Sequence, residues 1–290
     1  MRHILTLVAD RQSTTLSAAV IRRVQEAVRG GDPVILSEGE AADISVDQPP
    51  DPVLMQEVLE NAPVDWIVTK SRGRRKGLLV ADMDSTIVTS ETLDELAGYA
   101  GLQAEIAAIT TLSMNGEIDF AEALRRRVSM LRGLSLDALR KTWEKTELMP
   151  GARELIATMR KHNALTALVS GGFTFFTGKV AEAAGFDRHH ANVLLDDGVA
   201  LTGEVAEPIL DRDAKKATLL ALAQERGLQL SATMAVGDGA NDLAMLAVAG
   251  LGIAYHAKPI VAREAKARVD HGNLRALLFA QGYPAATFVS

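Results

Sequence analysis

The sequence predicts an α/β fold with a parallel sheet at its core, a helical insertion and a small α/β module in front. Three apolar runs at residues 77–81, 164–169 and 233–236 support this class. None shows polar alternation, which is typical of strands buried on both faces of a sheet. Each run ends in polar or glycine residues, as strands of open parallel sheets do where they meet a ligand crevice.

The first 75 residues show their own alternation of strand and helix patterns. In order these are a strand at 4–8, a helix at 17–29, a strand at 34–36, a proline-rich break at 49–52, a helix at 53–61 and a strand at 66–68. The pattern predicts a small α/β module. The basic segment 72–76 is interpreted as a solvated linker.

Two aspartates directly follow the first apolar run. Asp82 and Asp84 are two residues apart, so continued strand geometry would point their side chains to the same side. Carboxylates that close raise each other's pKa unless a cation compensates. Hydrated Mg²⁺ prefers oxygen ligands and typically rests on one or two carboxylates plus substrate phosphate. The alternative is that these aspartates only cap the next helix.

Three further polar elements follow along the chain. Ser170-Gly171-Gly172 ends the second run, and a hydroxyl followed by glycines lets backbone N–H groups approach an anion. Lys215 stands at the start of a helical pattern, and the segment 237–242, Gly-Asp-Gly-Ala-Asn-Asp, follows the last run. In an open parallel sheet, positions at the carboxyl ends of strands converge on one crevice.

In this order the four motifs resemble those of the haloacid dehalogenase superfamily, from residue 76 to about residue 256. Between the first two motifs, Glu91, Met114, Phe120 and Arg127 resemble the cap residues of the phosphoserine phosphatase family. The resemblance implies a Rossmann-like parallel sheet core with a helical cap inserted after the first motif. It also implies an ACT-like domain at 1–75 and a phosphatase domain at 76–290, with the cap at about 91–148.

The same resemblance implies an activity, namely hydrolysis of O-phospho-L-serine to L-serine and phosphate, the last step of serine biosynthesis. Asp82 would be the nucleophile that forms an aspartyl-phosphate, and Asp84 the general acid and base. The implied Mg²⁺ ligands are Asp82, Asp84 (backbone carbonyl) and Asp238, with Asp242 in the outer shell. The implied substrate-binding residues are Glu91, Met114, Phe120, Arg127, Ser170, Gly171, Lys215 and Asn241.

The substrate's chemistry agrees with the cap residues. Phosphoserine carries an ammonium, a carboxylate and a phosphate, which call for an acid, a bidentate cation and an anion cradle. A plainer interpretation also exists. Phe120 falls at helical spacing with Leu124 and Val128 and could belong to the core, and Arg127 is one of three consecutive arginines that could be solvated. Asp119 is expected to N-cap the helix that carries both.

Two other functions compete. A signalling receiver module also combines a phospho-accepting aspartate, Mg²⁺, a hydroxyl residue and a lysine, but it lacks an acid at the position of Asp84. A related phosphohydrolase or phosphotransferase of the same fold would use another small phosphate ester, and a homoserine-type acceptor would fit the same Glu91 and Arg127 pair.

The amino-acid composition excludes or disfavours several classes of function. A net charge of −6 argues against nucleic-acid binding, and the absence of cysteine excludes disulfides and thiolate catalysis. No apolar run approaches the roughly 18 residues that span a bilayer. Charged residues 10 and 11 interrupt any signal-peptide core, so a cytoplasmic location is expected. The substrate is expected to be a small molecule, and a homodimer is compatible with the resemblance.

Two local expectations concern the segment before Lys215. Asp197-Gly198 lies between apolar stretches within 192–202, which predicts a tight hairpin. His189-His190 is interpreted as a surface turn rather than a metal site.

Overall fold

A computed structural model describes residues 2–114 and 117–289 of the chain. The strands are β1 His3–Ala9, β2 Val34–Ser37, β3 Ala41–Val46, β4 Val64–Lys70, β5 Leu78–Ala81, β6 Leu165–Phe173, β7 Arg188–Asn192, β8 Leu194–Asp196, β9 Leu201–Val205, β10 Thr233–Gly237, β11 Leu251–Tyr255 and β12 Ala267–Val269. The helices are α1 Ala18–Ala27, α2 Pro52–Leu59, α3 Thr92–Ala100, α4 Gln103–Met114, α5 Phe120–Ser129, α6 Leu136–Lys145, α7 Ala152–Lys161, α8 Thr174–Ala184, α9 Arg212–Glu225, α10 Leu243–Val248, α11 Pro259–Glu264 and α12 Ala276–Ala280. No helix within these ranges has the length and apolar character that a bilayer crossing requires.

The central sheet has six parallel strands in the order β12-β11-β10-β5-β6-β7. Side chains of β5 alternate between two hydrophobic clusters, with Leu78 and Val80 in one and Leu79 and Ala81 in the other. Helices α7, α8 and α12 contribute to one cluster, and α9, α10 and α11 to the other. Burial on both faces explains the continuous apolar runs, and the α/β prediction is confirmed.

The N-terminal sheet is antiparallel, with strand order β2-β3-β1-β4. Its element order, β-α-β-β-α-β, is that of the ferredoxin-like motif. The sequence patterns predicted every one of these elements except β3. This strand was missed because its residues, Ala-Ala-Asp-Ile-Ser-Val, include an aspartate and a serine that interrupt the apolar pattern. One face packs against α1 and α2 through residues such as Leu5, Val24 and Met55.

The other face of the N-terminal sheet packs against the C-terminal part of the chain. Val8 and Ile67 belong to the same cluster as Leu277 of α12. Asp65 is 4% exposed, and its carboxylate accepts hydrogen bonds from the backbone N–H groups of Asp270, His271 and Gly272. Buried carboxylates with such partners hold segments in place, because breaking the set would leave a charge without compensation.

The segment 72–76 is not a solvated linker throughout, so that interpretation was wrong for Arg74. Its side chain is 13% exposed and forms an ion pair of 2.5 Å with Asp43. It also donates to Thr6 and to the carbonyl oxygens of Phe279 and Ala280. Arg74, although it lies in a basic run, therefore joins the N-terminal sheet to the segment around Phe279 and Ala280.

Helices α3 to α6 lie between β5 and β6 in the chain, on the carboxyl-end side of the sheet. The two connecting segments run side by side, because Thr89 N–H donates to the Glu147 carbonyl and Met149 N–H to that of Ile87. As expected, Asp119 N-caps α5, since its carboxylate accepts from Ala121 and Glu122 N–H groups.

The segment before Lys215 yields one confirmed expectation and one error. The hairpin around Asp197-Gly198 is confirmed as β8 and β9, closed by Asp197 N–H donating to the Ala200 carbonyl at 3.1 Å. The surface turn at His189-His190 was wrong, because both residues lie in the edge strand β7. A histidine pair with little apolar character carries a weak strand signal, so only the pairing with β6 reveals it.

Candidate active site

The polar motifs meet where the connections of the sheet change direction. From β5 the chain continues to β6 and β7 on one side and then returns to β10 on the other. Crevices form outside the carboxyl ends of neighbouring strands at such a switch point. Asp82 and Asp84 follow β5, and Asp238 and Asp242 follow β10. A cavity of 790 Å³ opens there.

Three buried carboxylates form the floor of this crevice. Oxygen atoms of Asp82, Asp238 and Asp242 all lie within 4.8 Å of one another. Lys215, from the first turn of α9, is 2% exposed and places its Nζ 2.6 Å from Asp82 and 2.7 Å from Asp242. Burial lowers the pKa of Lys215, but the carboxylates of Asp242 and Asp82 outweigh burial and raise it above its ordinary value.

The remaining negative charge suits a divalent cation. Burial, followed by repulsion from Asp82, raises the pKa of Asp238 to about 6. The same two causes, in the same order, raise the pKa of Asp242. The ammonium of buried Lys215 and that of the more exposed Lys258, 3.8 Å from Asp238, do not balance three close carboxylates. Hard divalent cations prefer such oxygen donors. The residues therefore fit a metal ion.

Asp84 lies beside this cluster and is held by the cap. Its Oδ1 accepts hydrogen bonds from both the backbone N–H and the hydroxyl of Thr92, each at 2.8 Å. Its Oδ2 accepts from the Ser170 hydroxyl at 3.2 Å. Burial, followed by the charge of Glu91, raises the pKa of Asp84 to about 7. A carboxyl group with this pKa is present in both protonation states near neutral pH.

Ser170, Gly171 and Gly172 form an irregular part of β6. The register with β7 shifts between Val169 and Phe173, which takes these residues out of the regular ladder. Gly172 N–H donates to the Ser170 hydroxyl at 2.8 Å. A side chain on Gly171 would meet the Phe120 ring at 3.1 Å, and one on Gly172 would meet the Asp84 carboxylate at 3.3 Å. Because these glycines have no side chains, the backbone of residues 171 and 172 can line the cavity directly, next to Phe120 and Asp84.

The cap contributes the opposite wall of the cavity. Glu91 precedes α3 and accepts from the Ser85 hydroxyl at 2.8 Å. Arg127 of α5 is half-buried, and its guanidinium donates to the Ala123 carbonyl and to the Thr110 hydroxyl, each at 3.3 Å. Burial lowers the pKa of Arg127, while Asp94 and Glu91 act in the opposite direction. Arg127 is therefore a partly desolvated cation facing an acidic neighbourhood.

Most of the residues proposed from the sequence line this one cavity, namely Asp82, Asp84, Glu91, Phe120, Arg127, Ser170, Gly171, Asp238 and Asn241. Lys215 and Asp242 are buried next to the cavity, where Lys215 contacts both Asp82 and Asp242. The side chain of Met114 lies outside the described residues. The arrangement combines a buried carboxylate, an acid of raised pKa, a metal-compatible cluster and cationic groups, which is the equipment of phosphoryl transfer.

The sequence analysis missed three residues of this site. Thr92 anchors Asp84, Thr86 donates to Asp238 at 3.2 Å, and Lys258 reaches the cavity from the loop after β11. Lys258 follows a parallel strand, as Asp82 and Asp238 do, but the sequence analysis did not predict that strand, β11. Thr92 carries no such signal, since a threonine at a helix start is common in any fold. Thr86 lies in the turn that follows Asp84, and its residue type alone does not indicate a partner.

The chain is similar in sequence and in fold to known hydrolases. A sequence model of haloacid dehalogenase-like hydrolases matches residues 79–247. A probable phosphoserine phosphatase of Schizosaccharomyces pombe is 44% identical over 225 residues, which cover 77% of this chain and 76% of that protein. The chain spans only 51% to 64% of the length of several other curated relatives.

Two solved structures resemble nearly the whole chain. A haloacid dehalogenase family hydrolase from Salmonella enterica serovar Typhi is 28% identical, with a TM-score of 0.86 over 96% of this chain and 98% of that one. A probable phosphoserine phosphatase from Vibrio cholerae, in unliganded form, is 32% identical, with a TM-score of 0.80 over 99% of this chain and 88% of that one. The chain therefore belongs to the haloacid dehalogenase-like hydrolase family.

Proposed function

We propose that the protein is a Mg²⁺-dependent phosphoserine phosphatase. The observation that carries this proposal is the arrangement of Asp82 and Asp84 in one cavity with Glu91 and Arg127 on its cap side. The first pair supplies the chemistry of phosphate ester hydrolysis. The second pair matches the ammonium and carboxylate of an amino acid, and relatives in the family are phosphoserine phosphatases.

Asp82 is proposed as the nucleophile. Its Oδ1 lies 2.6 Å from the Nζ of buried Lys215, and this ion pair fixes the orientation of the carboxylate. A carboxylate oxygen attacks the phosphorus atom, the bond from phosphorus to the serine oxygen breaks, and an aspartyl-phosphate forms. Ser170, Gly171 and Lys215 would hold the phosphoryl oxygens over which charge spreads in the transition state, with Asn241 orienting this set.

Asp84 is proposed as the general acid and then the general base. Its raised pKa lets it give a proton to the departing serine oxygen. The resulting carboxylate then takes a proton from the water that attacks the aspartyl-phosphate, which releases phosphate and restores Asp82. The two bonds from Thr92 hold Oδ1, so Oδ2 is the oxygen positioned for these transfers.

The metal ion is proposed to be Mg²⁺, held by Asp82, Asp238 and the Asp84 backbone carbonyl, with Asp242 supporting its outer shell. When bound, it would supply positive charge to the phosphoryl oxygens. Within the cap, Phe120 and Met114 are proposed to enclose the substrate's carbon atoms.

The N-terminal region at 1–75 is proposed to be ACT-like, followed by the phosphatase domain at 76–290 with its cap at about 91–148. Its β-α-β-β-α-β order and antiparallel sheet support this assignment.

A substrate panel tests the function. We expect kcat/KM for O-phospho-L-serine to exceed that for p-nitrophenyl phosphate and glycerol phosphate by at least roughly 100-fold, because a site that pairs with charged groups rejects esters that lack them. O-phosphohomoserine is the informative comparison, since it carries the same charges at a different spacing. Phosphate release is measured for each ester, and equal kcat/KM values across the panel would contradict an amino-acid substrate.

Metal dependence is a separate expectation. Activity should be lost in excess chelator and return with Mg²⁺, whereas Ca²⁺ should inhibit. Ca²⁺ accepts more ligands and could bind both oxygens of Asp82, which would mask the nucleophile. Phosphate release is measured in chelator with each ion added back, and melting temperature is followed in parallel. Undiminished turnover in excess chelator would argue against a metal-dependent mechanism.

A further inference from the structure

Lys258 lines the cavity from the core side, opposite the cap. It lies in the loop between β11 and α11, and its side chain is 45% exposed. Its Nζ lies 3.8 Å from Asp238 Oδ2, which is an ion-pair distance but too long for a good hydrogen bond. The ammonium therefore lies near the acidic residues but forms no good hydrogen bond to Asp238.

The backbone that presents Lys258 is fixed at several points. Lys258 N–H donates to the Asp238 carbonyl at 3.0 Å, which joins the loops after β10 and β11. Nearby, His256 has a left-handed φ of 43°, donates its N–H to Val269, and places Nε2 2.8 Å from the Gly272 carbonyl. A non-glycine residue in this region is held there by its surroundings. The position of Lys258 at the crevice is thus determined by the fold.

Carboxylates outnumber cations among the described residues that line the cavity, so a phosphate that enters it needs positively charged partners. Among the described lining residues, the carboxylates are Asp82, Asp84, Glu91, Glu117, Asp119, Asp211, Asp213 and Asp238, and the cations are Arg127 and Lys258. Arg127 belongs to the cap and matches the substrate carboxylate. Lys215 is buried beneath the cavity floor against Asp82 and Asp242. A doubly charged phosphate that enters from solvent therefore meets Lys258 as the exposed cation on the core side.

We propose that Lys258 is a further phosphate-binding residue of this site, an inference that rests on the proposed function. Its ammonium lies near Asp238 without forming a good hydrogen bond to it, and its side chain is partly exposed, so it can reach the phosphate of an ester in the cavity. A lysine suits this role because its ammonium is a compact charge on a flexible stem. The ligand class is the dianionic phosphate group, either of the monoester or of released inorganic phosphate.

Calorimetric titration of inorganic phosphate into the full chain, in saturating Mg²⁺ and low salt, tests the proposal. We expect Lys258→Met to weaken phosphate binding roughly five- to tenfold, and the difference to shrink as salt rises. Lys258→Arg keeps the charge and should bind phosphate within about twofold of the wild type. Lys266→Met, which removes an exposed lysine further along the same segment, is the matched control and should change nothing.

Titration of Mg²⁺ alone separates a phosphate role from a structural one. Lys258→Met should bind Mg²⁺ as well as or better than the wild type, because a positive charge near Asp238 has gone. Unchanged phosphate affinity in Lys258→Met, a parallel loss of Mg²⁺ affinity, or equal weakening by Met and Arg would each overturn the proposal. Wild-type turnover of phosphoserine is measured beside these titrations. Its absence would count against the proposed function, whereas its presence with unchanged phosphate binding would count against Lys258 alone.

Discussion

Asp82→Asn should abolish phosphate release from phosphoserine while the protein stays folded. An amide keeps the shape of the side chain but is not a useful nucleophile, so we expect kcat to fall by at least roughly 10⁴-fold. The fold should tolerate the change because Lys215 retains Asp242 at 2.7 Å. Burial and then repulsion from Asp82 raise the pKa of Asp238 and Asp242, so removing the Asp82 charge relieves the second of these causes. Turnover is measured together with circular dichroism and thermal melting.

Two further variants make this result specific. Asp196→Asn changes an exposed aspartate of the β8–β9 hairpin and should leave both activity and melting temperature unchanged. Asp84→Asn removes the acid but keeps the nucleophile, so it should still release p-nitrophenol from p-nitrophenyl phosphate in a single burst, since this leaving group needs little protonation. A folded Asp82→Asn variant with near wild-type turnover would remove Asp82 from the nucleophile role.

Arg127→Ala should cripple hydrolysis of phosphoserine but barely change the slow hydrolysis of p-nitrophenyl phosphate. Arg127 is partly desolvated, and truncating one member of a buried charge pair costs about 2–5 kcal/mol. At 1.36 kcal/mol per factor of ten, kcat/KM for phosphoserine falls roughly 30- to 5000-fold. p-Nitrophenyl phosphate has no carboxylate to lose. The measurement is kcat/KM for both esters in wild type and variant.

The neighbouring arginine provides a matched control on the same helix. Arg126 pairs with Glu122 at the surface, and its side chain is 52% exposed. Arg126→Ala should leave kcat/KM for both esters within about twofold, because exposed ion pairs contribute little. Equal losses on both esters in Arg127→Ala would mean that Arg127 supports the cap or the phosphate site rather than the substrate carboxylate.

The local sequence pattern was sufficient to predict strands that are buried on both faces. The runs that form β5, β6 and β10 are mostly apolar because both faces of the sheet are covered, and such runs can be recognised without knowing their neighbours. Strands of mixed composition could not be predicted in this way. β3 carries the buried Asp43, whose carboxylate is paired with Arg74 and accepts a hydrogen bond from Thr6, and both partners lie far from it along the chain. For the same reason the buried role of Arg74 was invisible in a basic segment.

The sequence by itself determined that the residues at the carboxyl ends of β5, β6 and β10 would meet at the crevice, because parallel strands bring those ends to one edge whatever the loops do. On that basis Asp82, Ser170 and Asp238 could be placed together before any coordinates were known. Only the tertiary structure decided how the site is supported. The bonds from Thr92 to Asp84 and the approach of Lys258 to Asp238 depend on where the cap and the last loops pack. Such contacts join residues through space and reach only a few ångströms, so no periodicity along the chain encodes them.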